Sequence, residues 1–235
     1  MNTPPTRSAP ALDTGMSKTL HHGLLILRVL AERPQGLTVS ELADAVEVHR
    51  TVAHRLVRTL EAHQLCRRDH RRRIVLDTGL VALAEPVQQD LRTLAGPVLD
   101  ELAEATRATA HLLVREGPSE MRALVVVEPR EALVHVSFRP GQTHPIEQGS
   151  GGLALLGHGP YREGERPEVT EARAKGYAVT RGEVIPAVTG ISAAVPSRGG
   201  EATVSIGISV FEVAGLDALG ETVVRSAARL GELLD

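Results

Sequence analysis

The sequence predicts an α+β chain in two parts. A small head of three helices closes on a β hairpin, and a larger body mixes helices with antiparallel strands. Three observations carry this expectation. Residues 49–76, HRTVAHRLVRTLEAHQLCRRDHRRRIVL, read as an amphipathic helix followed by an arginine-laden hairpin. Charge divides the chain, with 12 Lys/Arg against 7 Asp/Glu in residues 1–76 and 14 against 22 in the remainder. Beyond residue 93, Gly/Pro turn signals separate alternating helical and β-prone runs. The expected organisation is a disordered lead over 1–16, the head over 17–77, a linker helix over 78–92 and the body over 93–235.

In the head, Ser17 is placed to cap a first helix by accepting a free N–H of the first turn. Leu20, Leu24, Leu27 and Ala31 recur along that helix at helical spacing, with Ile26 and Leu30 widening the apolar face. Arg33-Pro34-Gln35-Gly36 stops it. Thr38-Val39-Ser40-Glu41 is a capping box that opens a second helix, with Val39, Leu42, Ala43 and Val46 as its stripe. The turn through Glu47 lacks the usual Gly, so Glu47 takes a positive φ or the turn lengthens. A third helix then runs from about His49 to His63, with Val52, Ala53, Leu56 and Leu60 as its apolar stripe. Leu65–Arg68 and Arg73–Leu76 flank Asp69-His70-Arg71-Arg72, a hairpin with a basic tip. Together these parts make a winged helix–turn–helix.

In the body, Leu94–Arg107 reads as a helix, and Thr109–Arg115, Met121–Glu128 and Leu133–Phe138 read as strands. Gly152–Leu156 and Val169–Lys175 are short helices, the second ended by Gly176. Ile191–Val195 and Thr203–Phe211 are strands. Leu216–Leu234 closes the chain as a helix, with Leu219, Val223, Ala227 and Leu230 along one side.

Composition narrows the chemistry. Two Phe, two Tyr and no Trp leave few stacking platforms for single-stranded nucleic acid. One cysteine, Cys66, excludes an internal disulfide and fits a reducing cytoplasm. No targeting signature or membrane-length apolar run is present, so the expected location is cytoplasmic. His21 and His22 are adjacent and His49 and His54 are five apart, so neither pair has the i, i+4 spacing of a helical zinc site. His111, His135, His144 and His158 are scattered. No metal, cofactor or catalytic constellation is expected.

A helix with one apolar face and a basic, hydrogen-bonding opposite face suits the DNA major groove. Arg50, Thr51 and His54, nearest its N-terminus, are the candidate base readers. Arg55 and Arg58 lie nearer the phosphates, and the wing residues Arg71, Arg72 and Arg73 are further candidate contacts. Thr38, opening the second helix, completes the candidate DNA-binding set. One recognition helix reads too few base pairs for specificity, so a homodimer on paired half-sites is expected.

The order of these parts over residues 17–234 resembles the IclR family of bacterial transcriptional regulators. VHRTVAHRLVRTLE is similar to the family's recognition helix. Gly152-Leu153-Ala154-Leu155-Leu156 resembles its Gly-Lys-Ala-Leu-Leu segment, and Arg173 to Glu183 its Arg-x-x-Gly-Tyr…Glu run. Pro186 to Val195 resembles its Gly-Val-x-Cys-Ile-Ala-Ala-Pro-Val segment, with Ala187, Gly190 and Ala194 at the Gly, Cys and Pro positions. The resemblance implies a GAF/profilin-like effector domain, a dimer or dimer of dimers, and a small organic effector, such as an organic acid. For that effector the Gly-rich helix entry offers Gly151 and Gly152, and the resemblance implies Glu183, Gly190 and Ile191. The Gly149–Gly152 run can offer backbone N–H groups to an anion, or serve only as a flexible turn. A ligand-binding or protein-interaction module with an incidental basic head is a second reading, and an enzyme with a fused winged domain a third.

Overall fold

The computed structural model describes residues 12–130, 138–198, 200–211 and 215–235. The described residues up to Gln89 form one compact unit and Asp90–Asp235 another. Most of the lead expected over 1–16, and the strand expected over 133–138 apart from Phe138, lie outside the described residues.

The head begins with α1 (Lys18–Ala31), whose first turn is capped by the Ser17 hydroxyl accepting from the Leu20 N–H. Its buried face is Gly23, Ile26 and Leu30, while Leu20 and Leu24 are 63% and 53% exposed. The expected stripe is therefore rotated: the Ile26–Leu30 ridge faces the core. Helix α2 (Val39–Ala45) carries the full capping box, with the Thr38 hydroxyl accepting from Glu41 N–H and Glu41 Oε2 accepting from Thr38 N–H at 2.7 Å. Glu47 turns the chain at φ 53° before α3 (Arg50–Ala62). Helix α3 buries Ala53, Leu56, Val57 and Leu60, and Val52 is 42% exposed. Val57, four residues after Ala53, takes the place that the sequence reading gave to Val52.

Strands β1 (Cys66–Arg68) and β2 (Ile74–Leu76) form the wing, and Leu37 extends it by exchanging backbone hydrogen bonds with Ile74. Ile26, Leu30, Leu42, Val46, Leu56, Val57, Cys66 and Ile74 close one core beneath these elements. Burial, aided by the charges of Glu61 and Asp77, raises the Cys66 thiol to about 11, so it behaves as an inert core residue.

The single linker helix expected over 78–92 is instead two helices. Helix α4 (Gly79–Ala84) ends before Pro86, whose ring removes an N–H donor, and Gln88 sits at φ 48°. Helix α5 (Gln89–Thr106) then opens the second unit five residues earlier than expected.

Among the described residues, the body forms one antiparallel six-stranded sheet in the order β5-β4-β3-β8-β7-β6. The strands are β3 (Thr109–Glu116), β4 (Glu120–Val127), β5 (Thr143–Pro145), β6 (Ala178–Arg181), β7 (Thr189–Ala194) and β8 (Val204–Val210). The short β5 and β6, absent from the sequence reading, form the edges. Helices α5 and α8 (Leu216–Leu234) share an aliphatic core with one sheet face through Val98, Leu99, Leu102, Val223, Ala227 and Leu230. Helices α6 (Ser150–His158) and α7 (Pro167–Lys175) cover part of the other face.

Strand alternation assigns the faces. Leu112, Ile191, Ala193, Ile206 and Ile208 join the α5/α8 core. Their neighbours His111, Gly190, Ser192, Ser205 and Gly207 therefore point towards α6. Over β7 and β8 this second face is small and polar.

Candidate functional site

Two places in the molecule assemble chemistry: the outer face of the head and a cavity in the body. In the head, His49 caps α3, its Nδ1 accepting from the Thr51 N–H at 3.3 Å and lying 2.8 Å from the Thr51 hydroxyl. An accepting Nδ1 places the ring proton of the neutral imidazole on Nε2. The sequence reading did not find this cap. Its signal was a polar residue ahead of the helix, but His is outside the usual capping set.

Beyond the cap, Arg50, Thr51, His54, Arg55 and Arg58 are all exposed on α3. Arg50, Arg55 and Arg58 have no ion pair among the described residues, whereas Arg68 pairs with Glu61 at 3.0 Å and Arg67 with Asp77 at 3.6 Å. At the wing tip, Asp69 accepts from the N–H groups of Arg71 and Arg73, both at 2.8 Å. Arg72 occupies the tight turn at φ 59°. Arg71 and Arg72 are exposed and without an ion pair among the described residues. Arg73 departs from the sequence expectation. Its Nε donates to Gly36 O at 3.0 Å and its guanidinium to Glu41 at 3.1 Å, so it braces the wing against the start of α2. The Thr38 and Arg73 hydrogen bonds hold the Glu41 carboxyl below its usual range. Thr38 is likewise engaged through its cap, although its hydroxyl hydrogen remains available to donate.

The body cavity lies between the small, polar sheet face and the start of α6, with about 40 Å³ of enclosed space and about 400 Å³ when the open solvent at its mouth is counted. Gly151, Glu183 and Gly190 line it; Gly152 and Ile191 do not. A Cβ on Gly152 would stand 1.9 Å from Ile146 O, so that glycine serves the close packing of α6. Ile191 is fully buried on the opposite sheet face. Leu113, Phe138, Val184, Ile185 and Val188 give the cavity apolar walls.

Its polar groups are mostly committed. The Glu183 carboxylate accepts from the Gly149 N–H at 2.9 Å and from Arg166 at 2.7 Å, tying down the start of α6. Burial opposes its charge, but the Arg166 and Gly149 hydrogen bonds prevail and hold its pKa low. Ser150 Oγ lies 2.8 Å from Ser192 Oγ, which lies 3.4 Å from His111 Nε2. His111 is 4% exposed, and burial, with a smaller contribution from His144, pushes its pKa down to about 3. His144 is shifted down too, chiefly by burial. His111 is therefore neutral in ordinary buffers, and burial favours the neutral form of His144. Sequence reasoning missed His111, His144 and Phe138 as cavity residues; a histidine within the apolar run Ala110–Val114 was the available signal. Among the described residues, no group of three or more His, Cys, Asp or Glu is placed to hold a metal. No described helix is long and apolar enough to cross a membrane.

A wing beside an exposed basic helix, joined in one chain to a separate α/β unit with its own cavity, defines a winged-helix DNA-binding regulator. Residues 19–70 match the IclR helix-turn-helix domain. The transcriptional regulator BhcR of Paracoccus denitrificans is 26% identical over 94% of this chain and 88% of its own length. An IclR transcriptional regulator of Alicyclobacillus acidocaldarius has a similar fold, with a TM-score of 0.79, 21% identity and coverage of 94% of this chain and 100% of its own. An IclR homologue of Microbacterium hydrocarbonoxydans, solved with 4-hydroxybenzoate, gives a TM-score of 0.79 at 20% identity, over 92% of this chain and 99% of its own. The head thus carries an IclR-type helix-turn-helix domain, and the chain as a whole is similar to DNA-binding transcriptional regulators built on that domain.

Proposed function

We propose that this regulator binds a pseudo-palindromic operator as a homodimer, with Arg50, Thr51 and His54 reading base edges. Arg55, Arg58, Arg71 and Arg72 contact phosphates, and the hydroxyl of Thr38 donates to another. The observation that carries this reading is the set of exposed, unpaired cations on α3 and the wing tip. Among the described residues, Arg67, Arg68 and Arg73 have carboxylate partners and these five do not; a phosphate backbone would supply them.

The homodimer is supported by apolar side chains left exposed in the head. Met16, Leu20 and Leu24 recur every four residues at 46%, 63% and 53% exposure, and Val81, Leu83 and Val87 are also more than half exposed. A second copy would cover them and place two recognition helices on half-sites about one helical turn apart, or a multiple of it.

The body binds a small organic effector, such as an organic acid, in the α6 cavity. Support comes from the first-turn N–H groups of Ser150 and Gly151 beside apolar walls, and from the aromatic acid bound by the Microbacterium homologue. To act, the effector must favour one of two arrangements of the regulator, since equal affinity shifts no equilibrium. The protein works in the cytoplasm, where operator and metabolite meet. Footprinting on DNA upstream of the gene's own promoter, with and without a metabolite panel, tests the reading. Paired protected half-sites that change with a metabolite are expected. One isolated half-site held by a monomer would reject the dimer.

A further inference from the structure

Burial makes an unsatisfied hydrogen-bonding atom costly, so a buried imidazole nitrogen without a partner calls for an explanation. His111 Nδ1 is such an atom: it is buried at the cavity and has no hydrogen-bond partner among the described residues. The other ring nitrogen faces the Ser192–Ser150 hydroxyl pair. That pair fixes the ring's orientation without fixing its proton, because a serine hydroxyl can donate to Nε2 or accept from it. His111 lines the cavity, and its buried Nδ1 can serve a guest there either as an N–H donor or as a bare acceptor.

We propose that His111 is the residue by which the body selects a hydroxylated effector, the ligand hydroxyl pairing with Nδ1. This deepens the effector reading and rests on it. A hydroxyl is the group that fits both tautomers, since it donates to a bare nitrogen and accepts from an N–H. A carboxylate fits the position poorly. It can only accept, and His111 stays neutral in its buried site, so the carboxylate would lose water without gaining a counter-charge. Arg166, the guanidinium nearest this end of the cavity through its bond to Glu183, is already matched by that carboxylate. The division of labour follows: any acid group of the ligand sits at the α6 N–H groups and the hydroxyl at His111. The apolar body of the ligand lies against Leu113, Phe138 and Val188. The Phe138 ring, 5.4 Å from the His111 ring and tilted 64° to it, shields the pair from water.

The test is calorimetric titration of the full-length protein with benzoate and with 2-, 3- and 4-hydroxybenzoate, for the wild type and two variants. His111→Leu removes both nitrogens; His111→Asn keeps a polar atom near the Nδ1 position. Wild type should prefer at least one hydroxybenzoate over benzoate by tenfold or more, because a site built around a hydroxyl penalises its absence. His111→Leu should erase that preference and His111→Asn retain part of it. Nitrogen-15 NMR of the wild-type imidazole should show Nδ1, not Nε2, changing its hydrogen bond on binding. Benzoate binding as tightly as all three hydroxy acids would overturn the role of His111 and leave the effector reading standing. Binding of none of the four, with Nδ1 bonded to a persistent water in the wild type, would overturn the role of His111, while the metabolite panel decides the effector reading separately.

Discussion

In the head, polar groups lie outside a wholly apolar core: Arg50, His54, Arg55 and Arg58 are exposed while Ala53, Leu56 and Val57 beneath them are buried. In the body, the corresponding chemistry is inside: His111, Ser192 and Ser205 are 4%, 0% and 0% exposed. The difference matches the two kinds of ligand proposed for them. A phosphate backbone is large and charged, and binds cations that keep their water until contact, so the head pays little desolvation before it meets DNA. A small organic ligand must be enclosed to be recognised, so its partners are desolvated in advance and held by one another. The head's site is thus a surface pattern on one helix, whereas the body's site is a meeting of β3, β7 and α6.

The largest contrast is expected at two helical glycines. Gly152 in α6 packs so closely that a Cβ would stand 1.9 Å from the Ile146 carbonyl oxygen, whereas a Cβ on Gly23 in α1 meets nothing within 4 Å. Gly152→Ala should destabilise the protein by about 3 kcal/mol through forced backbone movement. Gly23→Ala should stabilise it by roughly 0.5–1 kcal/mol through helix propensity. Urea midpoints measured on both variants decide the point. Equal effects would mean that α6 is not held as tightly as the sheet geometry requires.

Next in size is Arg50→Ala, expected to cost roughly 1–3 kcal/mol and to relax preference at one base pair of each half-site. Ligand titrations of the same variant should be unchanged. A competition assay over operator variants reads the result, and uniform weakening of every sequence would move Arg50 to the phosphate group of contacts.

Acid should act on the body first. Burial holds the folded His111 pKa near 3, below the ordinary value near 6.5. Between those values the unfolded chain binds the extra proton, so the stability conferred by this histidine is full above about pH 6.5 and is lost as pH falls towards 3. From pH 7 to pH 5 the loss is about 2 kcal/mol from His111 alone, and His144 acts in the same direction. Carboxylates contribute little over that interval. His111→Leu should flatten the dependence measured by urea unfolding; an unchanged slope would place the effect elsewhere.

The two regions also differed in what the sequence revealed. Capping residues were legible because their partners are local: Ser17, the Thr38–Glu41 box, the positive φ of Glu47 and the left-handed Gly176 all stand where short-range chemistry put them. Helix α8 was legible to the residue because its stripe is long and regular. The buried face of α1 was misplaced because Leu20 and Leu24 are apolar yet exposed, and periodicity cannot tell a core stripe from a second apolar face. The edge strands β5 and β6 are three and four residues long, too short for alternation to register. For the cavity, Gly151 came from the Gly-rich entry to a helix, and Glu183 and Gly190 came from resemblance alone. Ile191 was misplaced because strand alternation sends it to the opposite face from Gly190. His111, Ser150 and Ser192 are separated by 39 and 42 residues and meet only through the sheet order. No local pattern encodes that meeting.

The smallest effect separates two adjacent arginines that the sequence treats alike. Arg72 is exposed at the wing tip, while Arg73 is committed to Gly36 and Glu41. Arg72→Gln removes a charge but keeps the aliphatic stem of the exposed side chain, so the wing should fold unchanged. If Arg72 neutralises one phosphate, the slope of log K against log salt should fall by about 0.9, which is roughly a threefold change in affinity between 50 and 200 mM salt. The loss should be the same for operator and unrelated DNA, because a phosphate carries no base identity. Arg73→Gln should do the reverse: it releases the brace at the start of α2, lowering the urea midpoint, while the salt slope stays near that of the wild type. Salt titrations of both variants on both DNAs separate the two roles. A slope that falls for Arg73→Gln and not for Arg72→Gln would mean that the brace opens on DNA, with Arg73 exchanging Glu41 for a phosphate.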